Sequence, residues 1–158
     1  MRALVAPLFL LLTVTGAALA APVPVLALGS IGTSITLPLA EGERFTSSYV
    51  QSIYRVPVIE ELERHADAVR LLRVRSTDRR AVEYFGWHGE IRSEGGWYIE
   101  EAPPVELPQL VIRTTAMWDQ RISEPNGSVP LAARFGDEAR VTVRPITVAR
   151  LVAVLTAR

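Results

Sequence analysis

No cysteine and no lysine occur among the 158 residues, and histidine occurs twice, at His65 and His88. Without cysteine there are no disulfides, no thiolate nucleophile and no sulfur-ligated zinc site, so the folded state must rest on core packing. Without lysine there is no Schiff-base chemistry, and all 17 basic residues are arginines, whose planar guanidinium forks suit fixed ion pairs. The 17 acidic residues match them, and no basic patch in the sequence would hold nucleic acid or an anionic surface. Aromatic residues make up only 7% of the chain. The length suits one domain with one main hydrophobic core.

The single long hydrophobic run lies at the N-terminus. Arg2 is a minimal positive flank, and the 18 residues from Ala3 to Ala20 are uncharged, with Leu8, Phe9, Leu10, Leu11 and Leu12 at their centre. Ala18-Leu19-Ala20 then places small residues where a signal peptidase reads them, which predicts cleavage before Ala21. The competing reading is an uncleaved anchor, since a run of this length nearly suffices to span hydrocarbon. Thr13, Thr15 and Gly16 thin the run and favour cleavage. Residues 1–20 are thus a signal peptide or membrane anchor, expected as an N-terminal hydrophobic helix. Residues 21–158 are a single β-rich extracytoplasmic domain, periplasmic or otherwise outside the cytoplasm, anchored to the membrane only if the leader stays.

Turn formers recur at short intervals through that domain, from Gly29 and Gly32 through Gly95-Gly96 to Pro125-Asn126-Gly127 and Gly136, leaving room for strands and little for long helices. Val23 to Leu28, Ser34 to Leu39, Arg44 to Tyr54, Leu110 to Thr115 and Arg140 to Arg144 read as strands. The expected fold class is all-β, a small antiparallel β-sandwich or barrel. Two segments are ambiguous. Between Pro57 and Ser76, Val58, Leu62, Ala66, Val69 and Leu72 recur at helical spacing, and periodicity alone reads a helix; the competing reading is a hairpin of Val56 to Glu63 and Ala68 to Ser76, turning around His65-Ala66-Asp67. Ile146 to Leu155 combines helical spacing with β-branched residues.

The stretch from Arg44 to Glu61, RFTSSYVQSIYRVPVIEE, resembles the signature of an uncharacterised bacterial family catalogued as domain of unknown function 1850. Ser52, Pro57, Val58 and Glu60 match the family's own residues, while Gln51 stands where the family has histidine. A weaker second match covers Ala81 to Trp87. The resemblance implies an exported protein encoded beside tripartite solute transporters, so its expected role is a non-enzymatic accessory with a membrane transporter subunit as partner. It also implies strands after the glutamate, which favours the hairpin. A free-standing small-ligand or lipid-binding β-domain is the alternative, and a hydrolase or metal-dependent enzyme the third.

Gln51, Ser52 and Glu60 form the candidate ligand or partner site. A bend at Arg55-Val56-Pro57 would bring an amide, a hydroxyl and a carboxylate together, and the carboxylate, hydrogen-bonded by both neighbours, would stay ionised near neutral pH. The same three groups would equally serve to brace a tight bend. No catalytic residues are assigned: Ser52 lacks the glycine elbow of a hydrolase nucleophile, and both histidines read as solvent-facing turn residues. No metal or cofactor is assigned either, because Glu61 and His65 would share a face only on a helix, with His88 as a third ligand. Trp87, Trp97 and Tyr98 read as aromatics capping the open end of the core, or else as a stacking surface. Asn126-Gly127-Ser128 matches a glycosylation sequon but follows Pro125 and reads as a turn. The leader yields the first test: mass spectrometry of the protein from its native host is expected to find Ala21 at the N-terminus, and intact Met1 in a cytosolic fraction would overturn both readings of the leader.

Overall fold

The computed structural model describes residues 19–157. The expected leader helix falls largely outside them. The described chain is mostly strand and antiparallel throughout its two sheets, which stack as an open sandwich and do not close into a barrel.

The smaller sheet has the order β2-β1-β12-β9, from β1 (Pro22–Ser30), β2 (Thr33–Pro38), β9 (Leu110–Arg113) and β12 (Arg140–Ala149). The larger runs β11-β10-β3-β4-β5-β7-β6, from β3 (Arg44–Val50), β4 (Pro57–His65), β5 (Ala68–Ser76), β6 (Ile91–Glu94), β7 (Trp97–Glu101), β10 (Arg121–Glu124) and β11 (Gly127–Pro130). The short β8 (Glu106–Leu107) adds to β5 before the chain crosses to the smaller sheet. Three short helices fill the ends: α1 (Arg79–Glu83), α2 (Leu131–Phe135) and α3 (Arg150–Thr156).

Hairpins are set by turn chemistry. Gly95 and Gly96 both have positive φ between β6 and β7, the backbone that a two-residue turn of matching twist requires. Between β4 and β5 the turn residue Ala66 has φ 52°, and its N–H is held at 2.9 Å by both carboxylate oxygens of Glu41. The 57–76 segment is therefore the hairpin, turning at Ala66-Asp67. Its helical-looking spacing has a simple origin. Val58, Glu60, Leu62 and Arg64 occupy alternate positions of β4 and so share one face, but only two of the four are apolar. An irregularity in the pairing opposite Glu61 and Leu62 leaves Leu72 as an extra residue and shifts the parity of β5.

Between the sheets lies one core, drawn from β1 and β2 (Leu26, Leu28, Ile35, Leu37), from β3 to β5 (Phe45, Leu62, Val69) and from β12 (Val141, Val143). Under α1 sits a second, smaller cluster of Val58, Val74, Ala81 and Val82, edged by Trp87 and Tyr98. Asp78 caps α1 by accepting from the Arg80 N–H at 2.9 Å. Trp87 and Tyr98 thus pack at one end of the structure, with Trp87 against Phe85 at 4.9 Å, while Trp97 lies beneath the Arg75 guanidinium at 5.0 Å.

Two sequence boundaries need correction. The strand expected to reach Tyr54 stops at Val50, because Gln51 turns the chain there. The ambiguous C-terminal segment divides: β12 continues to Ala149 against β1, and a helix follows from Arg150.

The sheets are joined by a buried cation. Arg64, only 4% exposed, projects from β4 and its Nη1 donates to the carbonyls of Val25 at 2.9 Å and Ile146 at 3.1 Å, with Leu39 at 3.4 Å. Prolines at 38 and 145 stand opposite Val25 and Leu26 and bring no N–H to that part of the ladder. The guanidinium supplies donors where prolines withhold them, and Glu41 lies 3.8 Å from its Nε. Replacing Arg64 with alanine leaves these carbonyls without that donor, and the expected loss is about 2 to 4 kcal/mol, read as a lower denaturant midpoint at unchanged slope.

Candidate functional site

Along the inward row of β4, Arg64 and Leu62 are covered by the smaller sheet and Val58 by α1, leaving Glu60 between the two cores. Here the smaller sheet ends at β9, and a cleft of about 490 Å³ opens between that strand and the inner face of the larger sheet. Ser47, Tyr49 and Glu60 line it from the larger sheet, the consecutive residues Gln109 to Arg113 from the β9 side, and Gln120 and Arg121 from the start of β10. Gln120 fixes its own loop: its Oε1 accepts from the Thr115 N–H at 2.7 Å and its Nε2 donates to the Arg113 carbonyl at 3.0 Å. Arg113 and Arg121 are held by Glu138 and Asp119 respectively.

Strand register places Glu60 opposite Ser47, with Tyr49 opposite Val58 one step along the same face. The Tyr49 hydroxyl donates to Glu60 Oε1 at 3.0 Å, and this is the one hydrogen bond the Glu60 side chain makes among the described residues. Burial pushes the Glu60 carboxyl above its ordinary value of 4.5, and the Tyr49 hydrogen bond offsets that only in part. The phenol of Tyr49 is also driven upward, first by burial and then by the neighbouring Glu60, so it remains a donor. The carboxylate expected to be held by an amide and a hydroxyl has instead a single phenol donor on its side chain, and desolvation outweighs that bond.

The three residues singled out from sequence do not converge. Gln51 is buried and braces the bend: its N–H donates to the Val56 carbonyl at 2.9 Å, its carbonyl accepts from the Arg55 N–H at 2.8 Å, and its Oε1 accepts from the Tyr54 N–H at 2.9 Å. This holds Arg55 at φ 56°. Ser52 is exposed on the same bend. Gln51 lies four positions along the chain from Ser47, the residue that faces Glu60, about 13 Å of strand. What links the two places is Tyr49, which with Gln120 also borders a second groove of about 240 Å³ lined by Ser52, Ile53, Tyr84 and Trp118. Tyr49 was within reach of sequence reasoning, since alternation puts it on the face of Phe45. Arg113, Gln120 and Arg121 come from distant segments that only the topology assembles.

Other candidates are engaged elsewhere. Glu61 lies on the outer face of the sheet with Arg73 at 2.8 Å and Arg75 at 3.4 Å, and His65 Nδ1 meets Glu106 at 2.9 Å. His88 is an exposed loop residue with φ 61°. Among the described residues no three histidine, aspartate or glutamate side chains gather as metal ligands. Compared with protein-family models, with curated proteins and with solved structures, the chain matches none.

The Glu60 shift has a sign that can be checked. A carboxyl whose value is higher in the folded than in the unfolded state contributes fully to stability below the unfolded value of 4.5, and that contribution is lost as pH rises through the folded value. Glu60→Gln cannot ionise, so it is expected to gain stability relative to wild type as pH rises above 4.5, with the difference levelling off above the folded value. Thermal midpoints of the two proteins across that range test this, and a wild type that gains on the variant with rising pH would contradict it.

Proposed function

We propose that this chain is a non-enzymatic extracytoplasmic binding protein that serves a membrane solute transporter, and that the Glu60 cleft is where it takes a polar ligand or a polar segment of its partner. The observation that carries this reading is a partly buried carboxyl that lines an open cleft and, among the described residues, has one side-chain hydrogen bond, from Tyr49. Desolvation of that group is only partly offset by the Tyr49 bond, which leaves room for a further donor. A ligand bearing hydrogen-bond donors supplies one. The surrounding Ser47, Gln109, Arg113 and Arg121 are suited to its acceptors.

Support for the transporter setting comes from the resemblance over Arg44 to Glu61 and from the leader. Support for binding in preference to catalysis comes from the site itself: Glu60 touches a phenol and no histidine or second acid among the described residues, which gives recognition but no proton relay or activated nucleophile. A free-standing binder would use the same cleft, and uptake separates the two.

Purified wild type is expected to show a raised thermal midpoint with at least one class among small amides, polyols and carboxylates. Glu60→Gln should lose that shift, with affinity weakened about tenfold or more, while its own unliganded midpoint does not fall. Host cells carrying Glu60→Gln should then fail to restore solute uptake at normal protein levels. A variant that loses stability yet keeps both the shift and the uptake would reduce Glu60 to a structural residue.

A further inference from the structure

The strand that walls the Glu60 cleft is an edge strand: among the described residues β9 pairs with β12 on one side and with no strand on the other. Thr114, just past β9, sends its N–H to the Ala139 carbonyl at 2.8 Å and accepts the Glu138 N–H on its own carbonyl at 2.9 Å. Backbone direction alternates along an antiparallel strand, so Leu110 and Ile112 also face β12, while Val111 and Arg113 turn their backbone groups toward the cleft. Gln120 shows how that edge can be used. Its side-chain amide accepts from the Thr115 N–H at 2.7 Å and donates to the Arg113 carbonyl at 3.0 Å, the two kinds of bond that a neighbouring strand makes. Next in line, the Arg113 N–H and both backbone groups of Val111 have no partner among the described residues. The opposite edge of the same sheet is closed, since Ala157 bridges to Thr36 of β2. An open edge with a Leu-Val-Ile run is a template for strand addition.

We infer that an extended segment of a partner protein adds to the free edge of β9 as a fifth strand of the smaller sheet, continuing the bonds that Gln120 begins and laying alternate side chains over Ser47, Tyr49 and Glu60. Strand addition here rests on the reading of the cleft as a binding site and names its occupant. Open backbone groups two residues apart, about 7 Å along the strand, match another extended backbone and not a compact solute. The inner face of the larger sheet continues past β9, so an added strand lies over a floor already built. Stacked sheets are about 10 Å apart, and a long inward side chain that ends in a donor, as in arginine, lysine or glutamine, reaches across to the Glu60 carboxyl. Main-chain bonds then supply affinity, and the floor selects the side chains.

The test uses peptides selected on the purified protein from a random phage-displayed library, resynthesised with single backbone N-methyl groups placed one position at a time. Each methyl removes one backbone donor and keeps every side chain. Affinity is expected to fall about tenfold or more at every second position and to hold at the positions between, the period of a strand that bonds through one edge. Hydrogen exchange followed by NMR should show the Val111 and Arg113 amides becoming protected by the peptide, with Ile112 already protected in the free protein. Val111→Pro removes a donor from the open edge and no bond to β12, so it should abolish peptide binding at a nearly unchanged thermal midpoint. If that variant fails to fold, the methyl series and the exchange pattern on the wild type decide alone. A library that yields no binder, binders whose affinity ignores the methyl position, or binding without protection at Val111 and Arg113 would each overturn strand addition. Should small ligands still raise the thermal midpoint through Glu60 in that case, the cleft keeps its reading and loses only this occupant. The alternating pattern with equal affinity for Glu60→Gln would instead uphold strand addition and remove the role given to Glu60.

Discussion

Everything else in this sandwich depends on one guanidinium sealed between its sheets. The core could hold two layers together by apolar contact alone, but contact is indifferent to sliding, whereas three carbonyls from separate segments around one Arg64 nitrogen are not. The bonds reach β1, the end of β2 and β12, so the smaller sheet is registered on β4 through a single side chain. Glu41 completes the arrangement, pairing with Arg64 and holding the Ala66 turn that ends the same strand. In a chain without disulfides, this is the nearest equivalent to a cross-link.

With that register fixed, β4 becomes a spine on which each inward residue has a different task. Arg64 joins the sheets, Leu62 fills the main core, Glu60 lines the cleft and Val58 seals the cluster under α1. The cleft exists because the smaller sheet is only four strands wide and stops at β9 over a larger partner. The cleft is thus a consequence of unequal sheet widths, with the Glu60 carboxyl left where neither core claims it. Its raised value expresses the same fact in protons.

The outer face of the larger sheet follows different rules. There Glu61 meets Arg73 and Arg75, Glu63 meets Arg70, and Arg92 meets Glu101, all across strands. The Arg92–Glu101 pair is open to water and adds little to stability by itself, whereas Glu61 and Glu63 are largely covered by their arginines. Against that background the small groove bordered by Ile53 and Tyr84 stands apart.

The sequence by itself determined the β class and the tight turns, because turn residues act locally: glycine at positive φ and proline without an N–H impose their geometry whatever surrounds them. It also pointed to Glu60, through a resemblance confined to one short stretch. It misdirected the rest of the site for a definite reason. Grouping Gln51, Ser52 and Glu60 assumed that residues near in sequence at a bend would meet in space, while the strand register set Glu60 against Ser47 and gave Gln51 the bend to brace. The helical-looking periodicity of 57–76 had the same root, since Glu60 and Arg64 occupy inward positions where alternation expects apolar residues. A polar residue can face inward only if something distant completes it, which for Arg64 is three carbonyls from the opposite sheet and for Glu60 a tyrosine and an open cleft. Those partners lie far away along the chain, and only the tertiary structure could decide them.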